Sequence, residues 1–245
     1  MSKVISTPEG QEGKKSFKNL RFFWLVDVSG SMIGNKIKAV NRAIREVLPA
    51  IKKLEVDNDL AVFMGTITFG ARAEWLGPDD LVELSQFNWN DIDAIAGDRT
   101  STAQAIELLC SALDVNKIRG RSVPPVCILL SDGYCTDSEE EYNMAIKNLD
   151  LHPWGSKAIR LSIGIGERSN YNKEQLDQFI LPRLRDEGVE TLPATTPRQL
   201  VKYIRTASTL PAEGAEMNKE DTEDQTVEDI YDALTAGIPA PDDKF

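Results

Sequence analysis

The chain has 245 residues, a net charge of −11 and 41% hydrophobic residues, enough for one large α/β domain or two small ones. Eleven acids stand against Lys219 and Lys244 between Ala212 and Phe245, so that tail carries −9 and the rest of the chain only −2. Without concentrated Lys and Arg to hold phosphates, nucleic acid and anionic membrane are excluded as partners. No apolar run approaches the ~20 residues that cross a bilayer, and the start is mixed polar and charged rather than basic-then-apolar. The cysteines, Cys110, Cys127 and Cys135, are odd in number and lack C-x-x-C spacing, which speaks against a disulfide framework and a zinc cluster alike. A reducing, cytoplasmic location is expected.

Residues 1–17 are polar and aperiodic and read as a flexible N-terminal arm, with a domain expected over 18–208. An apolar strand including Phe22 to Val26 runs into Asp27-Val28-Ser29-Gly30-Ser31. Ile33, Ile37, Val40, Ile44, Val47, Leu48 and Ile51 then recur at intervals of three and four, the pattern of an amphipathic helix that Pro49 should kink or end. The turn Asp57-Asn58-Asp59 leads to a buried strand over Leu60 to Phe69, and Ala73 to Leu76 reads as its antiparallel neighbour at the sheet edge. A mixed segment carries Phe87-Asn88-Trp89-Asn90, suited either to packing beneath a long loop or to shaping a ligand surface. Gly97-Asp98-Arg99-Thr100-Ser101-Thr102 opens a second helix through Ala105, Ile106, Leu109 and Leu113.

After Pro124-Pro125 the apolar run Val126 to Leu130 ends in Ser131-Asp132-Gly133, a second polar cluster at a strand exit. Ser138 and Glu141 form a capping-box pattern before a helix near Tyr142 to Leu149. Ala158 to Ile165 is another buried strand, Lys173 to Ile180 another helix, Glu190 to Leu192 a short last strand, and Thr196-Pro197 starts a helix through Leu200, Tyr203 and Ile204. Strands alternating with helices predict an α/β fold, doubly wound, with a mainly parallel central sheet, one antiparallel edge strand and helices on both faces. Residues 209–245 form an acidic C-terminal tail. Within it Val227, Ile230, Tyr231 and Leu234 share one helical face, so the tail is either solvated and disordered or carries a short docking helix over 226–236.

Alternate residues of a strand point the same way, so Asp27, Ser29 and Ser31 can converge as one carboxylate and two hydroxyls if that spacing persists into the turn. Hard oxygens of this kind suit Mg²⁺ or Mn²⁺ far better than Zn²⁺. The same residues also punctuate ordinary strand-to-helix turns, with Ser31 or Asn35 able to cap the following helix. In open parallel sheets ligands bind outside the carboxyl ends of the strands, near the switch in strand order. Thr100 and the Ser131-Asp132-Gly133 exit are the other polar clusters placed for that edge.

Taken together, D-V-S-G-S after an apolar strand, D-R-T-S-T-A-Q-A-I before a helix and L-L-S-D-G after another strand resemble the von Willebrand factor type A (VWA) domain, in the family's order and spanning about Lys18 to Ser208. The resemblance implies a Rossmann-like fold and a metal-ion-dependent adhesion site made of Asp27, Ser29, Ser31, Thr100 and Asp132, holding Mg²⁺, with Mn²⁺ or Ca²⁺ as alternatives. More narrowly, D-G-Y-C-T-D over Asp132 to Asp137 is similar to a run in bacterial TerY-type members associated with tellurite resistance and stress, which gives Gly133 and Asp137 a supporting or loop-fixing role. A double glycine that often precedes the threonine there is replaced by Gly97-Asp98-Arg99, and Thr100 rather than Thr102 is assigned by motif alignment. The implied partners are a protein offering Asp or Glu to the metal and, by family analogy, a protein kinase and a PP2C-like phosphatase.

The residues favour binding over catalysis. His152, the single histidine, sits beside Pro153-Trp154 without a G-x-S-x-G elbow anywhere, no Walker-type loop occurs, and Gly164-Ile165-Gly166 lacks the third glycine of a dinucleotide loop. A phosphatase built on Asp27 would need a second carboxylate close by, and Val28 and Ser29 stand there instead. The expected activity is therefore a non-enzymatic protein-interaction module. A Mg²⁺- or Mn²⁺-dependent phosphoester hydrolase and an accessory subunit of an ATP-driven chelatase or remodelling complex are the alternatives. Cys110 and Cys127 fall in helix and strand patterns as small buried hydrophobes, Cys135 in a turn reads as inert, and His152 as structural.

Overall fold

The computed structural model describes residues 18–203, apart from positions 58–59, 78–80, 98, 117, 119–121, 168, 170 and 187. The expected N-terminal arm over 1–17, the acidic tail over 209–245 with its helix over 226–236, and the expected domain end at 208 lie outside the described residues. The strands are β1 (Lys18–Asp27), β2 (Leu60–Phe69), β3 (Ala73–Trp75), β4 (Val82–Glu83), β5 (Val126–Ser131), β6 (Ile159–Ile165) and β7 (Leu192–Ala194). They form one sheet in the order β3-β2-β1-β5-β6-β7, with β4 also pairing β2. The pairs β1–β2, β1–β5, β5–β6 and β6–β7 are parallel, while β3 and β4 run antiparallel to β2.

Helices cover both faces because β1 is apolar on both sides. Leu20, Phe22, Trp24 and Val26 point into one core with Ile37, Val40, Ile44, Val47 and Ile51 of α1 (Asn35–Asp57). Phe23 and Leu25 point the other way, onto Ala105, Ile106 and Leu109 of α2 (Thr102–Ala112) and Tyr142, Ala145 and Ile146 of α3 (Glu139–Leu151). This period-2 division is what a strand buried on both faces requires. At the start of α3 the capping box is complete: the Glu141 backbone N–H donates to Ser138 Oγ at 3.2 Å, and the Ser138 N–H donates to Glu141 Oε2 at 3.0 Å.

Several boundaries differ from the sequence reading, each for a local reason. Helix α1 does not end at Pro49 but continues to Asp57. Pro49 lies on the exposed face, where water can take the carbonyl freed by its missing N–H, while Ile51 and Leu54 carry the buried stripe onward. The expected helix over Lys173 to Ile180 is shorter, α4 (Lys173–Asp177), and is followed by α5 (Pro182–Asp186). The last strand is Leu192–Ala194 rather than Glu190 to Leu192. Pro193 is tolerated there because β7 is the sheet's edge. Residues 197–203 are helical as expected, Ile204 lying outside the described residues.

Candidate metal centre

Chain order reverses at β1: its crossover returns to β2 on one side, while β5 and β6 lie on the other. The carboxyl ends of β1 and β5 therefore stand side by side at the switch point, where open α/β sheets place their ligands. Asp27, the last residue of β1, is fully buried. Its Oδ1 accepts the Ser29 backbone N–H at 2.8 Å and its Oδ2 accepts the hydroxyl of Ser131, the last residue of β5, at 2.6 Å. The first of these bonds folds the chain back as an Asx turn, and a 3₁₀ turn over Gly30–Met32 then leads to α1. Gly30 is required by close approach: a Cβ there would lie 2.8 Å from the Gly97 carbonyl oxygen. Two backbone bonds, Gly30 N–H to Gly97 O at 3.3 Å and Ile95 N–H to Val28 O at 2.8 Å, hold the 95–97 segment along this turn.

The hydroxyls of Ser29 and Ser31 are 3.0 Å apart, and Ser31 Oγ donates to Asp132 Oδ1 at 2.6 Å, so Ser31 is turned into the site rather than capping α1. Lys36 Nζ donates to Asp132 Oδ2. A cavity of about 320 Å³ opens here, lined by Ser29, Ser31, Lys36, Gly97, Thr100, Asp132, Gly133, Tyr134 and Thr136. Asp27 joins it from beneath, since a Cβ on Gly133 would stand 3.8 Å from Asp27 Oδ2 and 3.3 Å from Ser31 Oγ. The oxygen-bearing side chains singled out in the sequence thus meet at one sheet edge, with Thr100 rather than Thr102 on the cavity wall.

A family model of the von Willebrand factor type A domain matches residues 23–188, which contain all of these side chains. The chain belongs to that family. It is 27% identical over 156 residues to inter-alpha-trypsin inhibitor heavy chain H3 of Mus musculus and 26% identical over 156 residues to that of Rattus norvegicus, an alignment covering 63% of this chain. The chain spans only 17% of the length of these curated relatives. Among solved structures, a von Willebrand factor type A protein from Catenulispora acidiphila superposes with a TM-score of 0.58 at 16% identity, covering 80% of this chain and 43% of that one. The pilus adhesin SpaC from Lactobacillus rhamnosus GG gives 0.58 at 14% identity, covering 82% and 31%. Proximal thread matrix protein 1 from the mussel byssus gives 0.58 at 14% identity, covering 79% and 49%. At such identities these likenesses establish the fold.

Within this VWA domain, the loop after β5 is fastened to the start of α2. Asp137 Oδ2 accepts the Ala103 backbone N–H at 2.6 Å and the Cys135 thiol at 2.9 Å, so Asp137 satisfies one of the unpaired N–H groups at the helix N-terminus. Thr136 brackets Thr100: the Thr100 N–H donates to Thr136 Oγ1 at 2.8 Å, and the Thr136 N–H donates to Thr100 O at 3.0 Å. Burial, with the carboxylate of Asp137 adding to it, pushes the Cys135 thiol up to about 11, and burial does the same for Cys110. His152 caps the end of α3, its Nδ1 accepting the backbone N–H groups of Trp154 and Gly155 at 3.3 and 3.4 Å.

Ser131 belongs to the polar strand exit that the sequence placed at this edge, whereas Lys36, Thr136 and Asn41 were given no role from sequence. Asn41 is buried on α1, its Nδ2 donating to Ile92 O at 2.8 Å and its Oδ1 accepting the Ile92 N–H at 3.0 Å and Trp89 Nε1–H at 3.2 Å. It pins the segment that runs on to the Gly97 wall, with Trp89 packed beneath that loop, while Phe87, Asn88, Trp89 and Asn90 also line a separate cavity of about 260 Å³. A polar residue on the apolar stripe, between Ile37 and Ile44, was the signal available.

The donor chemistry fits a hard divalent cation. Asp132 and the hydroxyl-bearing Ser29, Ser31, Thr100 and Thr136 line the cavity with Asp27 beneath, and no thiolate or imidazole is among its lining residues. Gly133 leaves the space between Ser31 and Asp27 open. Burial raises the pKa of Asp27, outweighing the hydrogen bonds from Ser131 and Ser29, and the neighbouring charge of Asp132 pushes the same way. A cation bound beside Asp27 would offset both the burial and the repulsion from Asp132 that disfavour its charged form.

Proposed function

We propose that this VWA domain is a non-enzymatic interaction module that binds a divalent ion, Mg²⁺ in the first place with Mn²⁺ or Ca²⁺ able to replace it, and captures an acidic residue of a protein partner. Asp27, Ser29, Ser31, Thr100 and Asp132 would hold the ion, and Asp137 with Thr136 and Gly133 keeps the loops in place around it. The ion supplies an electrophilic centre for a carboxylate. The observation that carries this reading is the convergence, at the sheet's switch point, of carboxylate and hydroxyl oxygens from three separate loops on one open cavity.

The surroundings support a protein ligand over a small one. Ile33, Ile95 and Tyr134 are large apolar residues exposed at 53%, 69% and 57%, and each sits on one of the three loops that build the site. Exposed apolar groups beside a charged centre suit a partner that offers an acid flanked by apolar side chains. A setting in bacterial stress-response signalling, alongside a protein kinase and a PP2C-like phosphatase, rests on the resemblance of the D-G-Y-C-T-D run to TerY-type members, and a cytoplasmic location on the cysteine pattern.

The test is capture of partners from the native cell by the full chain. Proteins retained by the wild type should be lost in EDTA and with Asp27→Ala. A partner set unchanged by both treatments would sink the metal-bridging mechanism.

A further inference from the structure

We propose that Lys36 is a tethered cation that competes with the divalent ion for Asp132 and so sets the metal affinity of the site. This rests on the metal reading of the preceding section and concerns its regulation. Asp132 is buried and both of its oxygens are engaged, Oδ1 by the Ser31 hydroxyl at 2.6 Å and Oδ2 by Lys36 Nζ. A hydroxyl can keep its place beside an ion by turning its proton away, because its oxygen is also a donor to metals. An ammonium has no such option, since it carries only N–H donors and a charge of the same sign as the ion.

The placement of Lys36 fits this role. It lies in the first turn of α1, in the cavity lining, and its side chain retains 24% of its exposure while that of Asp132 has none. The ammonium can therefore withdraw toward solvent on its four-carbon stem without disturbing the core, whereas Asp132 stays fixed. Charge sets the outcome: Asp27 and Asp132 contribute −2, Lys36 returns this to −1, and removing the ammonium deepens the potential that draws in a cation.

The experiment measures Mn²⁺ binding to the EDTA-stripped full chain from the loss of the free-ion EPR signal, for wild type, Lys36→Met, Lys36→Gln, Lys36→Arg and Asp132→Asn, with folding checked by urea midpoint. Lys36→Met and Lys36→Gln should bind Mn²⁺ at least about tenfold more tightly than wild type, with the gap narrowing as salt rises, while Lys36→Arg stays near wild type. Equal or weaker binding by both uncharged variants, in a wild type that does bind Mn²⁺, overturns the role of Lys36 and leaves the metal reading standing. Tightening by Lys36→Arg as large as by Lys36→Met overturns the charge argument. Absence of binding in every variant and the wild type overturns the metal reading itself.

Discussion

Replacing Asn41 by alanine should cost the protein about 3 kcal/mol of folding stability. The side chain is buried and satisfies three groups of the segment covering α1: the Ile92 carbonyl, the Ile92 N–H and the Trp89 indole N–H. Each buried polar group left unpaired costs about 1–3 kcal/mol, and taking the lower end for all three gives about 3 kcal/mol. The lower end applies because Trp89 and Ile92 are each 8% exposed, so water reaches part of what is lost. Asn41→Leu, which fills the volume, should cost nearly as much, separating unpaired polar groups from a cavity. Urea unfolding followed by circular dichroism measures both, and the slope of free energy on denaturant should stay unchanged. A loss below about 1 kcal/mol for both variants would refute the reasoning, since it would mean that the segment finds other partners at once.

Asp27→Asn tests the cost of the buried carboxylate. Burial raises the folded-state pKa of Asp27 above its ordinary 3.8, so the stability linked to its protonated form is complete below 3.8 and is lost as pH rises through the raised value. In EDTA at neutral pH the Asn variant should therefore melt above wild type, with the gap closing below pH 3.8; thermal melts across pH measure this, and a lower Tm for the variant at neutral pH would contradict it. Gly133→Val places branched carbon where even a Cβ would stand 3.3 Å from Ser31 Oγ and 3.8 Å from Asp27 Oδ2. Its urea midpoint should stay close to wild type while Mn²⁺ affinity falls at least about tenfold, as expected when a geometry-demanding ion loses room.

The strands were legible because burial leaves a simple record: β1 and β5 carry near-continuous apolar runs with polar exits at the sheet's carboxyl edge, and β6 sets Ile159, Leu161, Ile163 and Ile165 at every second position. Asp27, Ser29, Ser31, Thr100 and Asp132 stood out as a set through the resemblance of three motifs to the VWA domain, while parallel topology accounted only for polar clusters at strand exits meeting at one sheet edge. Lys36 did not, since its reach to Asp132 spans 96 positions in sequence and one lysine in a helix's first turn looks like any solvated charge. Thr136 was hidden for the same reason, its partner Thr100 being 36 residues away. The short elements were missed where tertiary pairing decides them. β4 is two residues held by β2, the apolar run after Lys173 is divided between α4 and α5, and β7 sits where its register with β6 puts it, across Pro193.

The central claim is that the oxygens of Asp27 and Asp132 serve a divalent ion, and isothermal titration of Mg²⁺ into the EDTA-stripped full chain tests it most directly. The account predicts a single ion bound per chain by wild type, and none by folded Asp132→Ala or Asp27→Ala. Heat of binding that is absent from the wild type, or that persists unchanged in both variants, would contradict it.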